Sequence, residues 1–232
     1  MNDSKIKPEL KIAIFGGNGF VGSHIAKELS SRGVCVVCVS RTGHKPAHLR
    51  SEQWSENVRW CKGDASQADD DCLKQVDVLI STVGSPPIPT FSSEAFDQQL
   101  FANGTCNIKL IESAQNAGIK RLVLIGANVP WPLNRDSFAY AKGKRLSLEA
   151  AEQFSKQSSE HSALVLQPGA VTGKRYTANG KCIPLDKLLG PFAIIMPWQF
   201  VSAERIATRI ADELLSPSHN TSKFCIIKNS DI

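Results

Sequence analysis

The chain has 232 residues, 42% hydrophobic and 21% charged, a globular composition that excludes wholesale disorder and allows a core without disulfide or metal staples. The 27 basic and 22 acidic residues leave a net charge of +5, spread along the chain and too small to argue for nucleic acid. The longest apolar runs, Val34–Val39 and Phe192–Trp198, fall far short of the ~18 residues a transmembrane segment needs.

The seven cysteines form an odd, irregular set, and the opening MNDSKIKPEL has no apolar stretch and carries Asp3 and Glu9. Both features predict reduced thiols and a cytoplasmic location, with a mitochondrial or plastid location only if a presequence was removed.

Along the chain, short apolar runs alternate with helix-period segments. Strands are expected near 10–16, 34–40, 57–61, 76–82, 119–126, 162–167 and 222–228, and helices near 20–32, 94–117, 138–157 and 202–215. Nearly continuous apolar runs such as Val34–Val39 suit strands covered on both faces. The expectation is an α/β fold: one doubly wound, Rossmann-like parallel sheet spanning 1–232 as a single domain. Residues 168–200, rich in Gly and Pro, read as a small irregular segment covering the substrate beyond the carboxyl edge of the sheet.

The strongest motif is the turn after the first strand, where Gly16, Gly19 and Gly22 are spaced three apart and open a helix. The first glycine permits the tight turn, the second lets backbone approach a pyrophosphate, and the third lets helix and strand pack closely. Gly16, Gly17, Asn18, Gly19, Phe20, Val21 and Gly22 are therefore candidate phosphate contacts at a helix N-terminus. The second strand ends Ser40-Arg41-Thr42, where an acidic residue would favour NAD; Arg41, with Ser40 beside it, favours NADP(H) over NAD(H). Asp64 and Ala65 follow the third strand as candidate adenine contacts, and Thr82, Val83 and Gly84 at the fourth strand tip are placed to run along the cofactor.

Tyr140 and Lys144 stand four apart, on one face of a predicted helix. A nearby ammonium favours the phenolate, so Lys144 is expected to lower the Tyr140 pKa and to reach the ribose. Other features read as structural. Cys35 and Cys38 match C-x-x-C, but strand residues three apart face opposite ways, and no histidine spacing suggests a metal. The run 192–198 suits a pocket wall, contact with a membrane surface, or core closure.

The glycine turn, the Ser-Arg strand end, Tyr140-x-x-x-Lys144 and Gln167-Pro-Gly-Ala-Val-Thr-Gly173 together resemble the atypical and extended short-chain dehydrogenases/reductases. Within that superfamily, Phe-Gly-Gly-Asn-Gly-Phe-Val-Gly and Val-Ser-Arg-Thr-Gly-His-Lys-Pro46 are similar to a subgroup that includes a coenzyme Q biosynthesis protein and relatives of a complex I accessory subunit. The resemblance implies hydride transfer to or from a small apolar carbonyl, alcohol or quinone-related substrate. Tyr140 would move the proton, Lys144 would hold the ribose, and Pro168 and Gly169 would line the cofactor. One departure stands out. The family places Ser or Thr at the fifth strand tip, where this chain has Gly126 and Ala127. Asn128 and Ser137 are the nearest polar substitutes. The alternative is thus a non-catalytic NADP(H)-binding subunit or redox sensor that docks protein partners.

Overall fold

The computed structural model describes residues 10–68, 70–177, 180–187, 196–216 and 223–232. The opening segment to residue 9, and Phe192 with most of its apolar run, lie outside the described residues. Seven parallel strands form the central sheet: β1 (Lys11–Phe15), β2 (Cys35–Ser40), β3 (Val58–Lys62), β4 (Val78–Ser81), β5 (Arg121–Ile125), β6 (Ser162–Gln167) and, near the end of the chain, Phe224–Lys228. All seven were expected, each within a few residues.

The helices are α1 (Phe20–Ser31), α2 (Asp70–Leu73), α3 (Ser93–Leu100), α4 (Cys106–Asn116), α5 (Ala139–Lys156) and α6 (Ala203–Leu215), of which the one-turn α2 was not expected. Strand alternation divides the core in two. Ile12 and Ile14 of β1 face Ile25 and Leu29 of α1 and Ile206 and Ile210 of α6. Ala13 and Phe15 face the other way, toward Leu110 and Ile111 of α4 and Phe154 of α5. This is the double coverage that continuous apolar strands require.

Spatially the order is Phe224–Lys228, β6, β5, β4, β1, β2, β3. The winding therefore reverses between β1 and β4, and a crevice opens there beyond the carboxyl ends of the strands. Segment 168–200 is more regular than expected. Its described part forms β7 (Ala170–Thr172), β8 (Lys174–Tyr176), β9 (Cys182–Pro184) and β10 (Phe200–Ser202). β7 pairs parallel with β10, and β8 antiparallel with β9. Three-residue strands leave no periodic signal, and β7 and β10 pair across thirty positions, which is why the segment read as irregular. The last strand of the sheet is numbered β11.

The single expected helix over 94–117 is divided. Between α3 and α4, residues 101–105 form one wide π turn, a local feature often found at functional sites.

Candidate cofactor and catalytic site

At the switch point, the glycine turn is fixed by backbone packing. Gly16 has φ +84°, and a Cβ there would stand 2.5 Å from Thr82 Oγ1. A Cβ at Gly22 would lie 2.3 Å from the Gly16 carbonyl oxygen, so this glycine is what lets α1 rest on the turn. Gly19 differs: its Cβ would meet only the Gly16 oxygen, at 3.0 Å, and otherwise open space. α3 and α6 are capped by Ser92 and Ser202 and carry Glu94 and Glu204 in their first turns. α1 has neither a side-chain cap nor an acidic residue there. Its amides and partial positive charge are left for an anion, so the residues present fit a dinucleotide pyrophosphate.

Arg41 is exposed at the tip of β2. Ser40 is buried, and its hydroxyl accepts from the Gly43 amide at 3.1 Å. Ser66 holds the Asp64 carboxyl below its usual range through its hydroxyl and then its amide, with Arg41 adding a smaller pull. One Asp64 oxygen is thus engaged locally, at 2.7 and 2.8 Å. Ala65 is buried beside it. Thr82 donates to the Phe15 carbonyl at 3.0 Å, which joins the tips of β4 and β1.

Tyr140 and Lys144 come together on α5, with the ammonium 5.9 Å from the phenol ring centre. Lys144 Nζ donates to the Ile125 carbonyl at 2.8 Å, and withdrawal from water lowers its pKa to about 8. The expected lowering of Tyr140 is not found. Burial pushes its phenol above the ordinary value, and the lysine bonds to backbone.

The sequence reading missed the group that shapes this corner. Asn103, fully buried in the π turn, accepts from the Ser85 amide at 3.1 Å and donates to the Ser85 hydroxyl at 2.8 Å. A Cβ at Gly84 would lie 2.7 Å from Asn103 Oδ1 and 3.4 Å from Lys144 Nζ. Gly104 and Gly143 allow the π turn and α5 to touch, and Ser147 donates to the Asn103 carbonyl at 2.6 Å. The facing pair of glycines was the available signal.

At the far wall, a Cβ on Gly169 would lie 2.2 Å from the Gln199 oxygen. Asn229 accepts from the Gly169 amide and donates to the Trp198 carbonyl, both at 2.7 Å. Pro168 accepts from Asn128 at 2.8 Å. Gly126 is buried against the Leu166 oxygen, 3.1 Å from where its Cβ would be, whereas Ala127 is half-buried. Ser137 is exposed before α5.

A cavity of about 590 Å³ lies outside the glycine turn, between Phe20, His24, His48, Tyr176 and Glu204. Its walls are clasped by the His48–Tyr176 stack at 3.9 Å and by His24 Nε2, 3.2 Å from Glu204 Oε1. The described part of 168–200 therefore packs on the phosphate end of the site, with Gly173 against the Phe20 ring.

A family model described as NAD(P)H-binding matches residues 16–190. An uncharacterized chloroplastic protein of Arabidopsis thaliana is 32% identical over 226 residues, covering 93% of this chain and 69% of that one. MIOREX complex component 2 of Saccharomyces cerevisiae is 29% identical over 154 residues, covering 63% of this chain and 50% of its own length. Among solved structures, a short-chain dehydrogenase/reductase family oxidoreductase from Burkholderia thailandensis superposes with a TM-score of 0.71 at 15% identity, covering 97% and 94% of the two chains. The chain thus belongs to the NAD(P)H-binding family and has the fold of the short-chain dehydrogenases/reductases.

Proposed function

We propose that this protein is an NADP(H)-dependent oxidoreductase acting on a small, apolar carbonyl or quinone-related compound or the corresponding alcohol. The observation that carries this reading is the meeting of Tyr140 and Lys144 beside Gly84 and Ile125, at the same sheet edge as the uncapped start of α1. The nicotinamide supplies the hydride when bound. Gly16 to Gly22 hold its pyrophosphate, and Arg41 with Ser40 holds the 2′-phosphate. Asp64, Ala65, Thr82, Val83 and Gly84 line the adenosine and ribose, and Pro168 and Gly169 form the opposite wall. The Tyr140 phenol, protonated at neutral pH as an ordinary phenol is, gives its proton to the carbonyl oxygen, a transfer that its burial-raised pKa makes harder. Lys144 is placed to orient ribose hydroxyls.

A second reading is a nucleotide-binding subunit without turnover. It is favoured by the absence of a hydroxyl at Gly126 and Ala127 and by a relative named as a complex component. Because the Arabidopsis relative is named chloroplastic, we favour an organelle over the cytoplasm, which cell fractionation decides.

The test is thermal-shift titration with NADPH, NADP, NADH and NAD, followed by a carbonyl and quinone panel. Stabilisation by NADPH above NADH, with turnover lost in Tyr140→Phe, is the expected result. Stabilisation without turnover on any compound supports the subunit, and no stabilisation by any dinucleotide rejects both readings.

A further inference from the structure

Two loops leave the carboxyl edge of the sheet beside Tyr140 and Lys144, one after β4 and one after β5. Neither carries a charged side chain from Thr82 to Ser93 or from Leu122 to Asn134. Both hold large apolar groups out from the surface. Phe91 is 98% exposed and Trp131 is 85% exposed, and Ile88 and Leu133 are also exposed.

Part of the backbone of these loops is satisfied from within. Gln99, buried on α3, donates to the Pro86 and Ile88 carbonyls, both at 2.9 Å, and the Ile88 amide donates to Pro86 at 2.8 Å. Leu133 and Asn134 both donate to the Pro130 carbonyl, at 2.9 and 3.1 Å. Pro86, Pro87, Pro89, Pro130 and Pro132 have no amide to satisfy and stiffen the chain. An uncharged stretch with part of its backbone bonded internally and its aromatic rings exposed loses less on leaving water than a charged one, and in the second loop the charged Arg135 and Asp136 come only after that stretch, before α5. Phe and Trp rings gain in the interfacial zone of a bilayer.

We propose that these two loops dock the protein on a phospholipid surface, with Phe91 and Trp131 inserted among the headgroups and the catalytic mouth turned toward the bilayer. Exposed aromatic rings on uncharged stretches suit the interfacial zone of a bilayer, and a protein interface is the outcome that the experiment separates from it. Among the described residues no helix is long and apolar enough to cross a membrane, and the docking proposed rests on the two loops. Docking stands apart from the oxidoreductase reading, since it is measured without turnover.

The experiment is co-sedimentation of the intact chain with phosphatidylcholine vesicles, with and without phosphatidylglycerol. Fluorescence with brominated phosphatidylcholine is read in a Trp198→Phe background, so that Trp131 is the highly exposed reporter. Expected are binding to both vesicle types, a blue shift and quenching of Trp131, and partitioning reduced about tenfold or more in Phe91→Ser/Trp131→Ser. An unchanged circular dichroism spectrum will show that the double variant is folded. Failure to bind either vesicle, or undiminished binding by the double variant, overturns the proposal. So does self-association without lipid that the double variant removes, because the loops would then form a protein interface.

Discussion

The ammonium nitrogen of Lys144 donates to the Ile125 carbonyl oxygen at 2.8 Å, which ties the middle of α5 to the tip of β5. Its folded-state pKa, about 8, is below the ordinary lysine value of 10.5. Between those values the unfolded chain holds the proton and the folded chain releases it, so stability rises with pH across that window and the penalty is full below it. The buried Cys38 thiol and Tyr140 phenol, both raised by burial, act in the opposite sense over the same range, so the rise is expected as the difference between the thermal unfolding of the native protein and of Lys144→Met from pH 7 to 11. Equal pH slopes in the two proteins would mean that the lysine is solvated.

The two glycines of the turn separate fold from binding. Gly22→Ala places a methyl 2.3 Å from the Gly16 oxygen, so it should lower stability by a few kcal/mol, about the cost of overpacking a core. Gly19→Val meets only the Gly16 oxygen, at 3.0 Å, a far milder approach than at Gly22. It should keep its melting temperature and lose dinucleotide binding, which calorimetric unfolding and titration check in one pair of variants.

On the proposed NADP(H) reading, Arg41→Asp replaces attraction for a 2′-phosphate by repulsion. The ratio of NADPH to NADH affinity should fall by about tenfold or more, the worth of one hydrogen bond to a charged group. An unmoved ratio in equilibrium titration would return Arg41 to the solvent.

Tyr140→Phe keeps the ring and removes the phenol proton. Turnover should drop by about 10²–10⁴ with cofactor affinity retained. Ala127→Ser restores a hydroxyl at a half-buried position and should raise activity, whereas Gly126→Ser must push against the Leu166 carbonyl and should cost stability instead. Steady-state rates and unfolding curves of the three variants test both halves.

Most of the sheet was legible because its strands are buried on both faces, so Val34–Val39 and Val76–Ile80 declare themselves by composition alone. The glycine turn was legible because a helix start packed on a strand tip leaves no room for other residues at Gly16 and Gly22. The division of α3 from α4 was not, since apolar spacing continues through Phe101 and Cys106 and a wide turn costs only one residue. Asn229 was invisible for another reason: it closes on Gly169 from 60 positions away. The direction of the Tyr140 shift depends on burial by neighbours from several elements, which spacing within one helix does not contain.

The π turn at 101–105 makes this corner sensitive to length as well as to composition. One additional residue in a turn advances everything after it by about 100° relative to a regular helix. That advance brings Asn107 round to accept from the Ser81 hydroxyl and to donate to the Val83 carbonyl at 3.3 Å. Deleting a single residue between Phe101 and Thr105 would yield a smoother helix and a misaimed one. Asn107 would rotate off the β4 tip while every side chain name in α4 stayed the same. Substitutions along α4 are graded losses, but a change of one in its residue count exchanges the whole face it presents.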